Sequence, residues 1–333
     1  MNMYKDLELL PVFHNAVITI GTFDGVHEGH KKILAQLKAK AKEVQGETVV
    51  ITFYPHPRKV VGDTSGVNLI NTLEEKLFLL EKEGIDNVVV VPFNEHFSTL
   101  SAEEYINDFL YKKFKPHTLI IGYDHRFGFQ RKGDYHLLEQ YGEQLGFLVQ
   151  EINAKVIAEA AISSTRVRKA LLQADVQTAK ELLGYNYFFE GSVIKGDQLG
   201  RSIGYPTANL QLNNEEKLVP ADGVYAVEVY RQQTTDHRAQ NEINKGSTVD
   251  CGLWTMDCLK GMMYIGSRPV VNGKRRVIEV NIFDFDEDIY HENLQVVIKN
   301  YIRGDMHLNS LEELKHQLAL DKEAVIQKLS MPQ

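Results

Sequence analysis

Residues Ala16-Val-Ile-Thr-Ile20 run directly into Gly21-Thr-Phe-Asp-Gly-Val-His-Glu-Gly-His30, and beyond Lys31 the residues Ile33, Leu34, Leu37, Ala41 and Val44 recur at helical spacing. A compact apolar strand, a glycine-rich turn and an amphipathic helix in immediate succession predict the opening of a βαβ unit. Glycine at such a turn lets the backbone approach a ligand, and the N–H groups of the following helix offer donors to an anion. His27 and His30 are separated by Glu28 and Gly29, so a tight turn can aim both imidazoles at one phosphate oxygen while Gly29 leaves room for a nucleotide. Without its neighbours the same pair reads as two surface histidines. The strand–turn–helix setting favours phosphate chemistry.

The alternation continues outward from this turn. Thr48–Phe53, Asn87–Phe93 and Thr118–Tyr123 are further compact apolar runs, as expected for strands covered on both faces, and Thr72/Glu75 and Ser101/Glu104 fit capping boxes ahead of helical stretches. The expectation for this half is a Rossmann-like parallel sheet. A basic, Leu- and Ala-rich helix is expected from Ser164 to Leu183, stopped by Gly184, which puts the domain boundary there: 1–184 and 185–333.

Beyond Gly184 the texture changes. Phe188–Ile194, Val224–Tyr230, Met262–Ile265 and Val277–Phe285 are strand-like runs broken by glycines, which predicts an antiparallel Greek-key β-barrel. Ser310 and Glu313 form another capping box, and Leu311, Leu314, Leu318 and Val325 share a face, so a terminal helix is expected on the barrel. The polar stretch Arg231–Lys260 reads as an exposed insertion.

The chain has 333 residues, 43% hydrophobic and 25% charged, the balance of a packed globular protein with room for two cores. With 37 basic and 45 acidic side chains its net charge is −8, which disfavours nucleic acid and anionic membranes as partners. No apolar run approaches the ~18 residues of a membrane span, and no leader pattern precedes Leu10, so a cytoplasmic protein is expected. Cys251 and Cys258 are too few for a disulfide scaffold; with His237 they leave a zinc site conceivable.

More specific motifs follow in order. Thr52-Phe-Tyr-Pro-His-Pro57, Gly122-Tyr-Asp-His-Arg-Phe-Gly128 and Ile162-Ser-Ser-Thr-Arg-Val-Arg168, together with the His27–His30 turn, resemble the adenylyltransferase half of the bacterial FAD synthetases, which belong to the H-x-G-H nucleotidyltransferases. The resemblance implies transfer of AMP from ATP to FMN with release of pyrophosphate. It implies ATP and phosphate contacts at Gly21, Phe23, Gly29, Asp124, Ser163, Ser164, Thr165 and Arg168, with His27 and His30 at the reacting phosphate. Phe127 is expected near ATP or flavin, while Asp24 and His56 are expected to position loops. The hydroxyls and backbone donors of a helix start and the planar fork of Arg168 suit the leaving pyrophosphate, although Ser-Ser-Thr is also an ordinary helix cap.

The second half opens with Gly191-Ser-Val-Ile-Lys-Gly-Asp-Gln-Leu-Gly-Arg-Ser-Ile-Gly-Tyr-Pro-Thr-Ala-Asn209, a glycine-rich loop without a P-loop pattern. It is similar to the start of riboflavin kinases, as are Ile265-Gly-Ser-Arg-Pro269 and Glu279-Val-Asn-Ile-Phe-Asp-Phe285. The resemblance implies that Gly196, Gly200 and Gly204 shape an ATP loop, that Thr207 and Asn209 hold Mg2+, that Glu279 is the general base toward riboflavin, and that Arg303 lies near the flavin. Asn281 stands where this family usually has His, and His291 where it usually has Gly. The implied molecule is a bifunctional riboflavin kinase and FMN adenylyltransferase with riboflavin, FMN and ATP as its small-molecule partners, acting as a monomer or weak homo-oligomer. The alternatives are a nucleotidyltransferase for another phosphorylated acceptor and a flavin-binding regulator without turnover.

Overall fold

The computed structural model describes residues 1–61, 68–122, 125–152, 164–196, 199–231, 258–270, 273–308 and 310–330. They form two compact units, Met1–Ser164 and Thr165–Gln333.

In the first unit, strands β1 (Asn2–Tyr4), β2 (Val17–Ile20), β3 (Thr48–Tyr54), β4 (Asn87–Pro92), β5 (Thr118–Gly122) and β6 (Leu148–Ile152) make a parallel sheet in the order β1-β4-β3-β2-β5-β6. Every residue of β2 is buried, which is why its sequence is apolar without alternation. The chain winds from β2 through β3 to β4, then returns to place β5 on the other side of β2. This reversal is a topological switch point, where open α/β sheets form their ligand crevice outside the carboxyl ends of the strands. The Gly21–His30 turn leaves β2 at that point.

Helix α1 (Glu28–Glu43) buries Leu34, Leu37 and Ala41. Helix α2 (Leu73–Lys82) starts from the Thr72/Glu75 capping box, and the Ser101/Glu104 box likewise opens the helical stretch that begins at Ala102. Ile18, Ile51, Val89 and Leu119 share a core with Phe109 and Phe114 of that stretch. Helix α3 (Tyr135–Leu145) leads into the edge strand β6.

The helix expected over Ser164–Leu183 is two helices, α4 (Ser164–Leu172) and α5 (Val176–Leu183). Ala174 turns left-handed at φ 59°, and Asp175 caps α5 by accepting from Thr178 N at 3.0 Å. Gly184 ends α5 in the left-handed conformation, as expected. All but the first residue of this helical pair belongs to the second unit, where Ala221 N donates to Leu171 O at 3.0 Å; the compact units therefore part some twenty residues before Gly184.

Strands β7 (Phe188–Ile194), β8 (Ala208–Leu212), β9 (Gly223–Arg231), β10 (Leu259–Val270), β11 (Gly273–Ile282) and β12 (Asn293–Arg303) close an antiparallel barrel in the order β10-β11-β8-β7-β12-β9. Helix α6 (Leu311–Ser330) is capped by Ser310, whose Oγ accepts from Glu313 N at 3.1 Å, and buries Val325 beside Ala226, Met262 and Phe283. Leu311 is exposed, so the apolar face begins one turn later than its sequence spacing predicts. Among the described residues no helix is long and apolar enough to cross a membrane.

Candidate active sites

The first site grows from the end of β2. His27 is the N-cap of α1, and its Nδ1 accepts from His30 N at 3.3 Å. An accepting Nδ1 carries no proton, so the hydrogen of neutral His27 is on Nε2. The two rings stack at 3.7 Å with 9° between planes. Phe23, held at φ 47°, packs its buried ring 5.0 Å from that of His30. Burial first, then the repulsion that two protonated rings would feel beside His27 and the charge of Lys76, hold His30 well below the usual imidazole range, so it stays neutral near pH 7. His30 Nδ1 is shielded from solvent and has no hydrogen-bond partner.

The turn is braced from two sides. Asp24, 2% exposed, accepts from Ile70 N at 3.0 Å and Asn71 N at 3.2 Å, joining the loop to the approach of α2. Ser164 Oγ donates to Asp24 O at 2.9 Å. Ser164 thus braces the loop within the first unit, a role that the sequence motif did not suggest. Thr165 and Arg168 follow on α4, and Gly29 lies in the first turn of α1. Gly21 is pressed against the Phe23 ring, which a Cβ would meet at 3.1 Å. His56 Nδ1 accepts from Arg58 N at 3.2 Å, a loop-positioning contact. Phe127 is buried and stacked on Tyr105 at 4.9 Å. Asp124 and Ser163 lie outside the described residues, as do Cys251, His237 and most of the Arg231–Lys260 stretch.

The second site lies on the barrel. Glu279 of β11, 8% exposed, pairs in register with Asn209 of β8 and with Tyr264 of β10. Glu279, Thr207, Asn281 and Arg303 line a cavity of about 260 Å³ whose other walls include Met262, Met263, Leu314 and Leu318. Thr207 also lines a second cavity, of about 280 Å³, with Arg201, Phe285 and Tyr290. Thr207 therefore borders both cavities. The glycines pack against the same segment: a Cβ on Gly196 would overlap the Asn209 carboxamide at 2.2 Å, and one on Gly200 would overlap Tyr205 O at 2.2 Å and reach Thr207 Oγ1 at 3.5 Å. Gly204 has φ +86°.

The FAD synthetase family profile matches residues 11–166 and the riboflavin kinase profile residues 183–329. The bifunctional riboflavin kinase/FMN adenylyltransferase of Escherichia coli K12 is 36% identical over 92% of this chain and 90% of its own length. Its namesakes from Bacillus subtilis and Haemophilus influenzae are 34% and 33% identical, covering 95% of this chain and 93% and 97% of theirs. The chain belongs to the bifunctional riboflavin kinase/FMN adenylyltransferase family. A crystal structure titled as a macrolide-efflux protein from Streptococcus pneumoniae shares the whole architecture, with TM-score 0.80 and 28% identity over 97% of this chain and 98% of that one.

The positions where this family member departs from the usual motif have local explanations. Asn281, buried, donates its carboxamide N–H to Pro206 O at 2.7 Å. His291 adopts φ +68°, a conformation that glycine takes without strain. Arg303 forms a bidentate pair with Asp321 of α6, at 2.8 and 2.7 Å, and donates to Gly304 O at 2.8 Å. Asp321 is 2% exposed and also accepts from Gln317 at 2.9 Å. Arg303 thus fastens the terminal helix to the rim of the cavity, and any contact with flavin is additional to that duty.

Proposed function

We propose that this family member makes FAD from riboflavin in two steps, phosphorylating riboflavin in the barrel (assigned to 185–333) and adenylylating FMN at the glycine turn of the parallel sheet (assigned to 1–184). The observation that carries the kinase assignment is Thr207 bordering both cavities. The cavity with methionine and leucine walls suits an isoalloxazine and the other a nucleotide, so transfer from one to the other passes Thr207 and Glu279.

In the kinase step the terminal ribityl hydroxyl attacks the γ-phosphorus of ATP, its proton passes to Glu279, and ADP leaves. A buried carboxylate on a paired strand is held in place for that transfer. The Thr207 hydroxyl and Asn209 carbonyl are hard oxygen donors in a cradle that side chains at Gly196 and Gly200 would fill, which fits Mg2+ bound with ATP. Such an ion neutralises phosphate charge.

In the adenylyl step an FMN phosphate oxygen attacks the α-phosphorus of a second ATP and pyrophosphate leaves. The nucleophile is already an anion, so the protein aligns groups and stabilises charge. His27 and His30, stacked on each other with His30 held neutral, donate N–H groups to the reacting phosphate. Gly21, Phe23 and Gly29 shape the turn, while Thr165 and Arg168, with Ser163 and Ser164 before them, hold the departing pyrophosphate. Asp124 contacts the nucleotide or flavin. The need for ATP supports a cytoplasmic enzyme, and the net charge of −8 supports small molecules over nucleic acid as partners.

Incubation with riboflavin, ATP and magnesium should yield FMN and then FAD. His27→Ala with His30→Ala should stop FAD formation while FMN still accumulates. Loss of both products together would refute the division of labour.

A further inference from the structure

Behind the histidine turn lies a charged side chain that neither step uses. Lys76 projects from α2, is only 6% exposed, and places Nζ 3.3 Å from Thr52 Oγ1 at the carboxyl end of β3. Thr52, fully buried, in turn donates a hydrogen bond from its hydroxyl to Thr22 O at 3.2 Å, in the glycine turn. Asp24 of the same turn braces the start of α2 through Ile70 N and Asn71 N, and buried Glu75 takes Thr72 N at 3.0 Å and the Asn71 carboxamide at 3.5 Å. Two buried routes therefore join α2 to the turn, and Lys76 stands at the head of one.

An apolar side chain would fill this place at lower cost, because burying an ammonium forfeits its hydration. Burial lowers the Lys76 pKa to about 8, opposed by the charge of Asp24. Lys76 thus remains largely protonated near pH 7, close enough to His30 for its charge to help keep that imidazole neutral. A cation held at such a cost beside the turn serves the turn's function, since α2 already has its capping box and its buried Leu73, Leu79 and Leu80.

We propose that Lys76 is a positioning residue for adenylyl transfer, its ammonium holding the Thr22–Asp24 turn through Thr52 so that His27 and His30 meet the reacting phosphate in register. This rests on the assignment of adenylyl transfer to the histidine turn. The charge acts through the turn, so it affects turnover more than the binding of ATP.

The test compares wild type, Lys76→Met, Lys76→Arg and Thr52→Val in the full-length chain, with FMN adenylylation, riboflavin phosphorylation and thermal melting measured on each. Lys76→Met should lower kcat for FAD formation at least about thirtyfold with KM for ATP changed less than threefold, and leave riboflavin phosphorylation intact. Lys76→Arg, which keeps the cation, should recover most of the lost kcat. Thr52→Val, which keeps the lysine and removes its link to the turn, should lower kcat at least about fivefold, and it decides the matter should Lys76→Met fail to fold. Full adenylylation by Lys76→Met or by Thr52→Val overturns the proposal, as does a Lys76→Arg enzyme no better than Lys76→Met. The His27→Ala, His30→Ala double variant, run alongside, separates the two ideas: if it still makes FAD, the site assignment has failed and not the role of Lys76 alone.

Discussion

The Asn281 carboxamide and the Pro206 carbonyl are joined by a 2.7 Å hydrogen bond that fixes the backbone immediately before Thr207 from a position two residues beyond Glu279. Strand β11 therefore positions both the carboxylate and the hydroxyl of the kinase site. Leaving a shielded acceptor without its donor costs about 1–3 kcal/mol, or roughly five- to 150-fold in rate if the penalty falls on the transition state. Asn281→Ala should slow riboflavin phosphorylation within that range and leave FMN adenylylation unchanged. Asn281→His, which restores the usual family residue, should retain most of the activity if the ring can reach the same carbonyl. Separate assays with riboflavin and with FMN check both outcomes.

Glu279→Gln keeps the shape of the side chain and removes its capacity to accept a proton. General-base assistance is typically worth ~10²–10⁴-fold, so FMN formation from riboflavin should fall by that factor while supplied FMN is still converted to FAD. A fall of less than tenfold would mean that Glu279 orients riboflavin without taking its proton.

The motifs that named these sites are runs of neighbouring residues, which is why the chain displays them openly. Strands β2 to β5 and β9 are equally readable, being mostly buried and apolar, and β7 is readable by its alternation. Strand β8 is not legible because Ala208-Asn209 sits inside a glycine-rich motif whose composition serves the site more than the sheet. Strand β12 is not legible because its register shifts between Ile298 and Asn300, and again between Tyr301 and Arg303, which breaks the alternation a sequence pattern relies on. The edge strand β6 is mostly solvent-facing, and β1 is three residues long. What no local pattern carries is the bracing of the sites. Ser164 meets Asp24 across 140 positions, Lys76 reaches Thr52 across 24, and Arg303 finds Asp321 only once α6 has docked. The break at Ala174 was hidden because alanine, a strong helix former, occupies the left-handed turn.

His291 provides a backbone test. A side chain at φ +68° costs about 1–2 kcal/mol relative to the right-handed region, and a β-branched one more. His291→Val should therefore destabilise the barrel by at least about 1 kcal/mol. His291→Gly, which removes the strain but adds freedom to the unfolded chain, should be neutral or stabilising by up to about 1 kcal/mol. Urea unfolding of the two variants, followed through the riboflavin kinase activity that survives, gives the order. A valine variant as stable as the glycine variant would show that the turn has relaxed out of the left-handed region.

The low pKa of His30 makes a prediction about stability against pH whose sign is fixed. In the unfolded chain this imidazole takes up a proton as the pH falls below its ordinary value of 6.5, whereas in the folded unit burial, His27 and Lys76 keep it neutral to lower pH. The unfolded state then binds more protons, so stability present above pH 6.5 is lost as the pH falls from there toward the lowered folded value. If His30 stays neutral at pH 5.5, the loss reaches at most about 1.4 kcal/mol there, one order of magnitude in the unfolding equilibrium. His30→Gln, which cannot titrate, should lack this component. The measurement is urea unfolding of wild type and His30→Gln at pH 7.5, 6.5 and 5.5, with the difference between the two proteins taken at each pH so that the other titrating groups cancel. Wild type should weaken against the variant slightly by pH 6.5, by about 0.4 kcal/mol, and mostly below it. A constant difference across the three values would mean that His30 takes up its proton as readily in the folded protein as in the unfolded one.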